Sequence, residues 1–273
     1  MIPLPEAKSV VHFVEGTPFF ANLFVRFEFP LNPLSNPPPV CYNNGMNFDS
    51  LHYLDLINGE KLPLFERYFS LLKEYNARFN LTAITQQAEV YEKHFLDSVL
   101  GEALFPQNAS VLEVGSGAGF PSLPLKLVRD DLTFTLVEST GKKCDFLKAV
   151  IAELSLKNVT VLNGRAEDYA RNDEYRERFD VCCARAVARM NTLTEYCLPF
   201  VKVGGAFIAY KGDCGEEVSE AKNAISKLGG GDAQVYHYAL PTSGNRTLVY
   251  IKKLRPTPKG YPRGQGKERK NPL

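Results

Sequence analysis

Between residues 110 and 210, short apolar runs alternate with helix-periodic stretches, and this alternation narrows the possible folds more than any other feature of the chain. The runs are 110–114 (SVLEV), 133–138 (TFTLVE), 159–162 (VTVL), 179–184 (FDVCCA) and 205–210 (GAFIAY), with helical patterning between them, notably over 141–155 and 187–200. Strands separated by helices require right-handed crossovers, which give a mostly parallel sheet with helices on both faces. Two further runs, 235–240 (VYHYAL) and 247–252 (TLVYIK), are separated only by PTSGNR. That link has hairpin length, so the sheet is expected to finish antiparallel. The fold class is α/β: a Rossmann-like, doubly wound, mostly parallel seven-stranded sheet with a C-terminal antiparallel hairpin.

A small helical layer is expected ahead of the sheet, over 46–105. Leu64, Tyr68, Leu71, Leu72 and Tyr75 recur at three- and four-residue steps, and Gln87–Leu100 reads as a further helix. The sheet domain then spans 106–254. The end, 255–273, is expected to be a basic tail: from Lys252 onward there are eight basic residues and one acidic, too often broken by proline and glycine for a helix. Residues 1–45 show no amphipathic period and end in NPLSNPPPVCYNNG. They are expected to be a disordered extension or upstream sequence from a misassigned start. An organelle-targeting arm fits less well, because one arginine stands against three glutamates.

The 273 residues carry a net charge of +1, so any footprint for nucleic acid must be local. No apolar run reaches the ~18 residues of a membrane span, and a cytoplasmic monomer is expected. Six cysteines include no CxxC pair, and the four histidines have no metal spacing; buried free thiols and no metal are expected.

Ligands of open α/β sheets bind at the carboxyl ends of the strands, which directs attention to VLEVGSGAGFP, residues 111–121. Gly115, Gly117 and Gly119 give GxGxG, and Phe120 stands where a dinucleotide fingerprint has its third glycine. Glu113, two residues before the turn, would repel a pyrophosphate but suits a cationic ligand. S-adenosyl-L-methionine, with an ammonium and a sulfonium, is such a ligand. Glu138 ends the second strand where an acidic residue can accept both ribose hydroxyls. After the third strand, Ala166 with Glu167 lies where an adenine edge would be held, or forms a helix start. Arg185, Arg189 and Lys211 follow the fourth and fifth strands and suit a polyanionic substrate.

The segments YNARFNLTAIT, HFLDSVL, VLEVGSGAGFPSLPLKL, NGRAED, CCARAVARM, AYKG and the TPKGYPR…NPL ending resemble the RsmG (GidB) family, bacterial methyltransferases acting on a guanine N7 of 16S ribosomal RNA. The similarity runs from about Met46 to Leu273. It implies a class I S-adenosylmethionine-dependent methyltransferase fold, with cofactor contacts from Gly115, Phe120, Ala166, Glu167 and Arg185. The partner it implies is 16S ribosomal RNA or the small ribosomal subunit. Arg185 thereby has two candidate roles, cofactor and RNA. Lys142, Lys143, Arg189, Lys211, Lys259 and Arg263 are the expected phosphate contacts. Guanine N7 carries a free lone pair, so no dedicated acid or base is expected. A small-molecule methyltransferase and a non-catalytic RNA-binding module remain as alternatives; a Rossmann oxidoreductase is disfavoured by Glu113 and the glycine spacing.

Overall fold

Seven strands form one sheet in the order β3-β2-β1-β4-β5-β7-β6, in a computed structural model that describes residues 50–273. The expectations for residues 1–45 lie outside the described residues. The strands are β1 Ser110–Val114, β2 Thr133–Glu138, β3 Val159–Asn163, β4 Phe179–Arg185, β5 Val201–Lys211, β6 Gly230–Leu240 and β7 Gly244–Lys253. The first five pair in parallel, as the alternation predicts, while β7 pairs antiparallel with both β5 and β6. The hairpin strands are longer than their apolar runs. Their register extends from Leu240↔Gly244 back to Gly230↔Lys253, because one wetted face lets polar residues join the ladder.

The strand order reverses between β2-β1 and β4-β5, so a crevice forms at the carboxyl ends of β1 and β4. Adjacent side chains on a strand face opposite ways. Val111 and Cys183 therefore enter a core shared with Phe65, Tyr68 and Phe95 of the preceding helices, whereas Leu112 and Cys182 enter a second core with Met190 and Leu193. This explains the paired cysteines, which pack one into each layer as buried free thiols. Among the described residues no group of side chains could hold a metal ion, and no helix is long and apolar enough to cross a membrane.

Among the described residues two helices, Ser50–Asn58 and Leu62–Phe79, come first, followed by a continuous helical stretch over 87–99 whose central part, Tyr91–Leu96, is π-helical. An extra residue in the helical turn re-aims the side chains around it, and such segments gather at functional sites.

The basic end of the chain departs from expectation. It contains a short helix, Lys267–Lys270, and buries Thr257 and Glu268. Arginine side chains reach its backbone where proline and glycine leave carbonyls without ladder partners. Arg176 Nη1 donates to Tyr261 O at 2.7 Å, its Nη2 to Thr257 O at 2.8 Å, and Arg171 Nε to Pro262 O at 3.1 Å. Arg263 takes part in holding this end of the chain. Its guanidinium forks onto Glu195, Nε to Oε1 at 2.9 Å and Nη2 to Oε2 at 2.7 Å, and Glu195 is fully buried. Arg263→Ala is expected to cost about 2 kcal/mol in urea unfolding. The value falls below that of a fully enclosed pair because the arginine is 22% exposed and water can reach Glu195 once it is gone.

Candidate functional site

The glycine loop is shaped by backbone conformations that side chains disfavour. Gly115, Gly117 and Gly119 have φ of +70°, +56° and +88°. A Cβ on Gly115 would lie 2.7 Å from Val187 Cγ2, and one on Gly119 would lie 2.6 Å from Leu123 Cδ1 and 2.7 Å from the Tyr68 hydroxyl. Gly117 differs: its nearest neighbour would be 3.8 Å away, so the space above it is open to a ligand. Gly115 and Ser116 N–H both donate to Val137 O, at 2.8 and 3.2 Å, which ties the turn to the end of β2. The loop then enters helix Ser122–Val128, with Pro121 at its N-cap.

Two carboxylates sit beneath and beside this loop. Glu138 accepts from Gly117 N–H at 2.9 Å and Thr140 N–H at 2.8 Å. It is thus fixed at the loop, with acceptor capacity left over. Glu113 is fully buried; its Oε2 accepts from Ser122 N–H at 3.3 Å, while Oε1 has no partner. Burial pushes its pKa up to about 8, against the lowering influence of Ser122 and Arg185, and Glu138 raises it further. An unpaired buried carboxylate is costly, and a cation drawn near it would recover part of that cost.

Phe120 is buried in an aromatic stack, 4.5 Å from the His94 ring and 5.6 Å from Tyr68, whose hydroxyl donates to Ala118 O at 2.5 Å. Arg185, the last residue of β4, lies with Cζ 5.0 Å from the Phe120 centroid. Its Nη1 donates to Asp97 Oδ2 and to Lys93 O, both at 3.0 Å, and its Nη2 lies 3.0 Å from His94 Nδ1. Asp97 also accepts from the Tyr238 hydroxyl at 2.7 Å. The π-helical segment thus supplies the Lys93 carbonyl and His94, and Asp97 follows at once. Sequence reasoning did not include Tyr68, His94, Asp97 or Tyr238 in the site. The available signal was HFLD, which puts a histidine and an aspartate on a helix otherwise patterned for the core.

The other expected residues are dispersed. Ala166 and Glu167 begin the short helix Ala166–Tyr169 after β3, with Glu167 buried. Lys142 and Lys143 open helix Gly141–Glu153, Lys142 with its ammonium 5.1 Å from the Phe79 centroid. Lys259 is exposed. Lys211 has partners within the chain: its ammonium donates to Ala188 O at 2.9 Å and pairs with Glu217 at 2.7 Å, so it braces the loop after β4. Arg189 pairs with Glu220 at 2.7 Å on the surface, an exchange that phosphate can displace cheaply.

Residues 61–248 match the family model GidB, rRNA small subunit methyltransferase G. The chain belongs to this family. Relatives named ribosomal RNA small subunit methyltransferase G include one from Moorella thermoacetica, 49% identical over 222 residues, covering 78% of this chain and 91% of the relative. Another, from Brevibacillus brevis, is 47% identical over 213 residues, covering 77% and 90%. Among solved structures, a putative O-methyltransferase from Klebsiella pneumoniae superposes with a TM-score of 0.50 at 16% identity, covering 75% of this chain and 96% of that one. It shares the fold of the family member described here, a class I methyltransferase sheet.

Proposed function

We propose that the chain transfers the methyl group of S-adenosyl-L-methionine to N7 of a guanine in 16S ribosomal RNA. The observation that carries this reading is the glycine loop with its orphan carboxylate. In a member of the GidB family, the Glu113 Oε1 without a partner and the open space over Gly117 match a ligand that is cationic at one end. The residues fit that ligand along their whole run. Glu138 keeps acceptors for ribose hydroxyls beside Gly117, Ala166 with Glu167 offers backbone and carboxylate for the adenine edge, and Phe120 with Arg185 lines the crevice at β4.

When bound, the cofactor supplies an electrophilic methyl on a sulfonium. Transfer would form the N7–carbon bond as the carbon–sulfur bond breaks, with its electron pair left on sulfur and the positive charge passed to the purine. No proton moves at that step, so the protein's work is to hold the two reactants in line and to keep water out. The stacked rings of Tyr68, His94 and Phe120 form a dry, rigid wall for this. Exposed cations on the surface, Lys142, Lys259 and Arg189 among them, would contact RNA phosphates and give an affinity that falls with salt. The protein would act as a cytoplasmic monomer on 16S ribosomal RNA or the assembled small subunit.

The deciding experiment incubates small-subunit RNA from a strain lacking the modification with protein and methyl-labelled cofactor. New 7-methylguanosine at a single position is expected. Its absence, with protein that still binds adenosylhomocysteine, would overturn the reading.

A further inference from the structure

We propose that Arg185 donates a hydrogen bond to O6 of the target purine and so selects guanine over adenine. This deepens the guanine-N7 reading and rests on it. Position comes first: Arg185 closes β4, the strand beside β1 at the reversal of strand order, where the crevice opens. Its side chain is 13% accessible, so it is not sealed into the core.

Its donors can be counted. A guanidinium has five N–H groups. Lys93 O and Asp97 take the two on Nη1, and His94 Nδ1 faces one on Nη2. The Nε–H and one Nη2–H have no acceptor among the described residues. His94 serves as acceptor only when neutral; burial, then the neighbouring guanidinium, lowers its pKa to about 3. Its Nε2–H is then left to donate to Thr82 Oγ1, 3.0 Å away. The clamp is rigid, with two donors to spare.

The purine edge supplies the matching logic. On the face that carries N7, guanine presents N7 and O6 as acceptors, whereas adenine presents N7 and an N6 amino donor. N7 must keep its lone pair for the methyl group. O6 is therefore the acceptor left for recognition on that edge, and a fixed N–H donor there meets a like donor on adenine. Charge is also accommodated. A guanidinium beside a sulfonium, and later beside a cationic 7-methylguanine, needs a counter-ion, and the buried Asp97 carboxylate at 3.0 Å provides one.

The test uses small-subunit RNA assembled with guanosine, inosine (O6 and N7 kept) or 2-aminopurine (N7 kept, O6 absent) at the target position. Methylation rates are measured at saturating cofactor for the wild type, Arg185→Met and Arg185→Lys, and adenosylhomocysteine affinity is measured separately. The wild type is expected to methylate guanosine and inosine alike and 2-aminopurine on the order of 10-fold more slowly. Arg185→Met should reduce the guanosine to 2-aminopurine ratio several-fold, and Arg185→Lys, which keeps a donor, should restore part of it. An unchanged ratio in Arg185→Met, whatever the loss of rate or cofactor affinity, overturns the proposal and leaves Arg185 a cofactor or structural residue. Equal wild-type rates on guanosine and 2-aminopurine overturn it without any variant. No 7-methylguanosine from the wild type on guanosine RNA is instead the failure of the parent reading.

Discussion

Gly119→Ala is expected to lower adenosylhomocysteine affinity by at least roughly 100-fold and to destabilise the fold together with it. At φ +88° a side chain is strained before any contact is considered, a cost of about 1–3 kcal/mol. The added methyl then meets Leu123 at 2.6 Å and the Tyr68 hydroxyl at 2.7 Å. Leu123 is buried and Tyr68 is locked by its bond to Ala118 O. Neither can retreat without moving the stack under Phe120, which adds about 1–3 kcal/mol. Gly117→Ala makes the internal control. Its φ of +56° is near the left-handed minimum and its methyl would find open space, so it should cost about 1 kcal/mol of stability yet still block the ligand. Calorimetric titration beside urea unfolding separates the two variants. Binding by Gly119→Ala within about threefold of wild type, less than 1 kcal/mol, would show that the loop does not shape the cofactor site.

The contrast between these two glycines was invisible in the sequence, where GxGxG reads as three equal positions. What the sequence does carry is periodic: the five apolar runs became five parallel strands because buried strands in a helix-covered sheet leave continuous apolar runs. Glu113 was also legible, since a carboxylate inside SVLEV breaks that rule. The clamp on Arg185 was not. Asp97 and His94 lie 88 and 91 residues before it, and no local pattern announces a contact made only by packing a helix over the sheet. The chain's end misled for the opposite reason. Its local signals, proline, glycine and charge, describe a basic tail without a helix, but Arg171, Arg176 and Glu195 sit far upstream and hold it down. Truncation after Leu254 therefore does not test RNA binding alone, because it also strips Glu195 of its partner.

Glu113 gives the site a pH dependence of its own. Its carboxyl titrates near 4.5 in an unfolded chain and near 8 when folded, chiefly through burial. Between those values the folded state holds a proton that the unfolded state has released, so stability falls as pH rises through the window. At 1.36 kcal/mol per unit the full loss is on the order of 5 kcal/mol, complete by about pH 9 and absent below about pH 4. Glu113→Gln keeps an oxygen for the Ser122 N–H but does not titrate. Its unfolding free energy relative to wild type is thus expected to climb by about 4 kcal/mol from pH 5 to pH 8.5. A difference that stays flat across the window would mean that Glu113 is ionised throughout. The same carboxyl links proton and cofactor. At pH 7 the free wild type holds Glu113 neutral, and a cationic ligand stabilises the carboxylate, so binding should release up to about one proton. Titration calorimetry in buffers of different ionisation enthalpy should detect that proton with the wild type and lose it with Glu113→Gln. Such a result would assign the orphan oxygen to the cation, because a group that merely supports the loop would titrate identically with and without ligand.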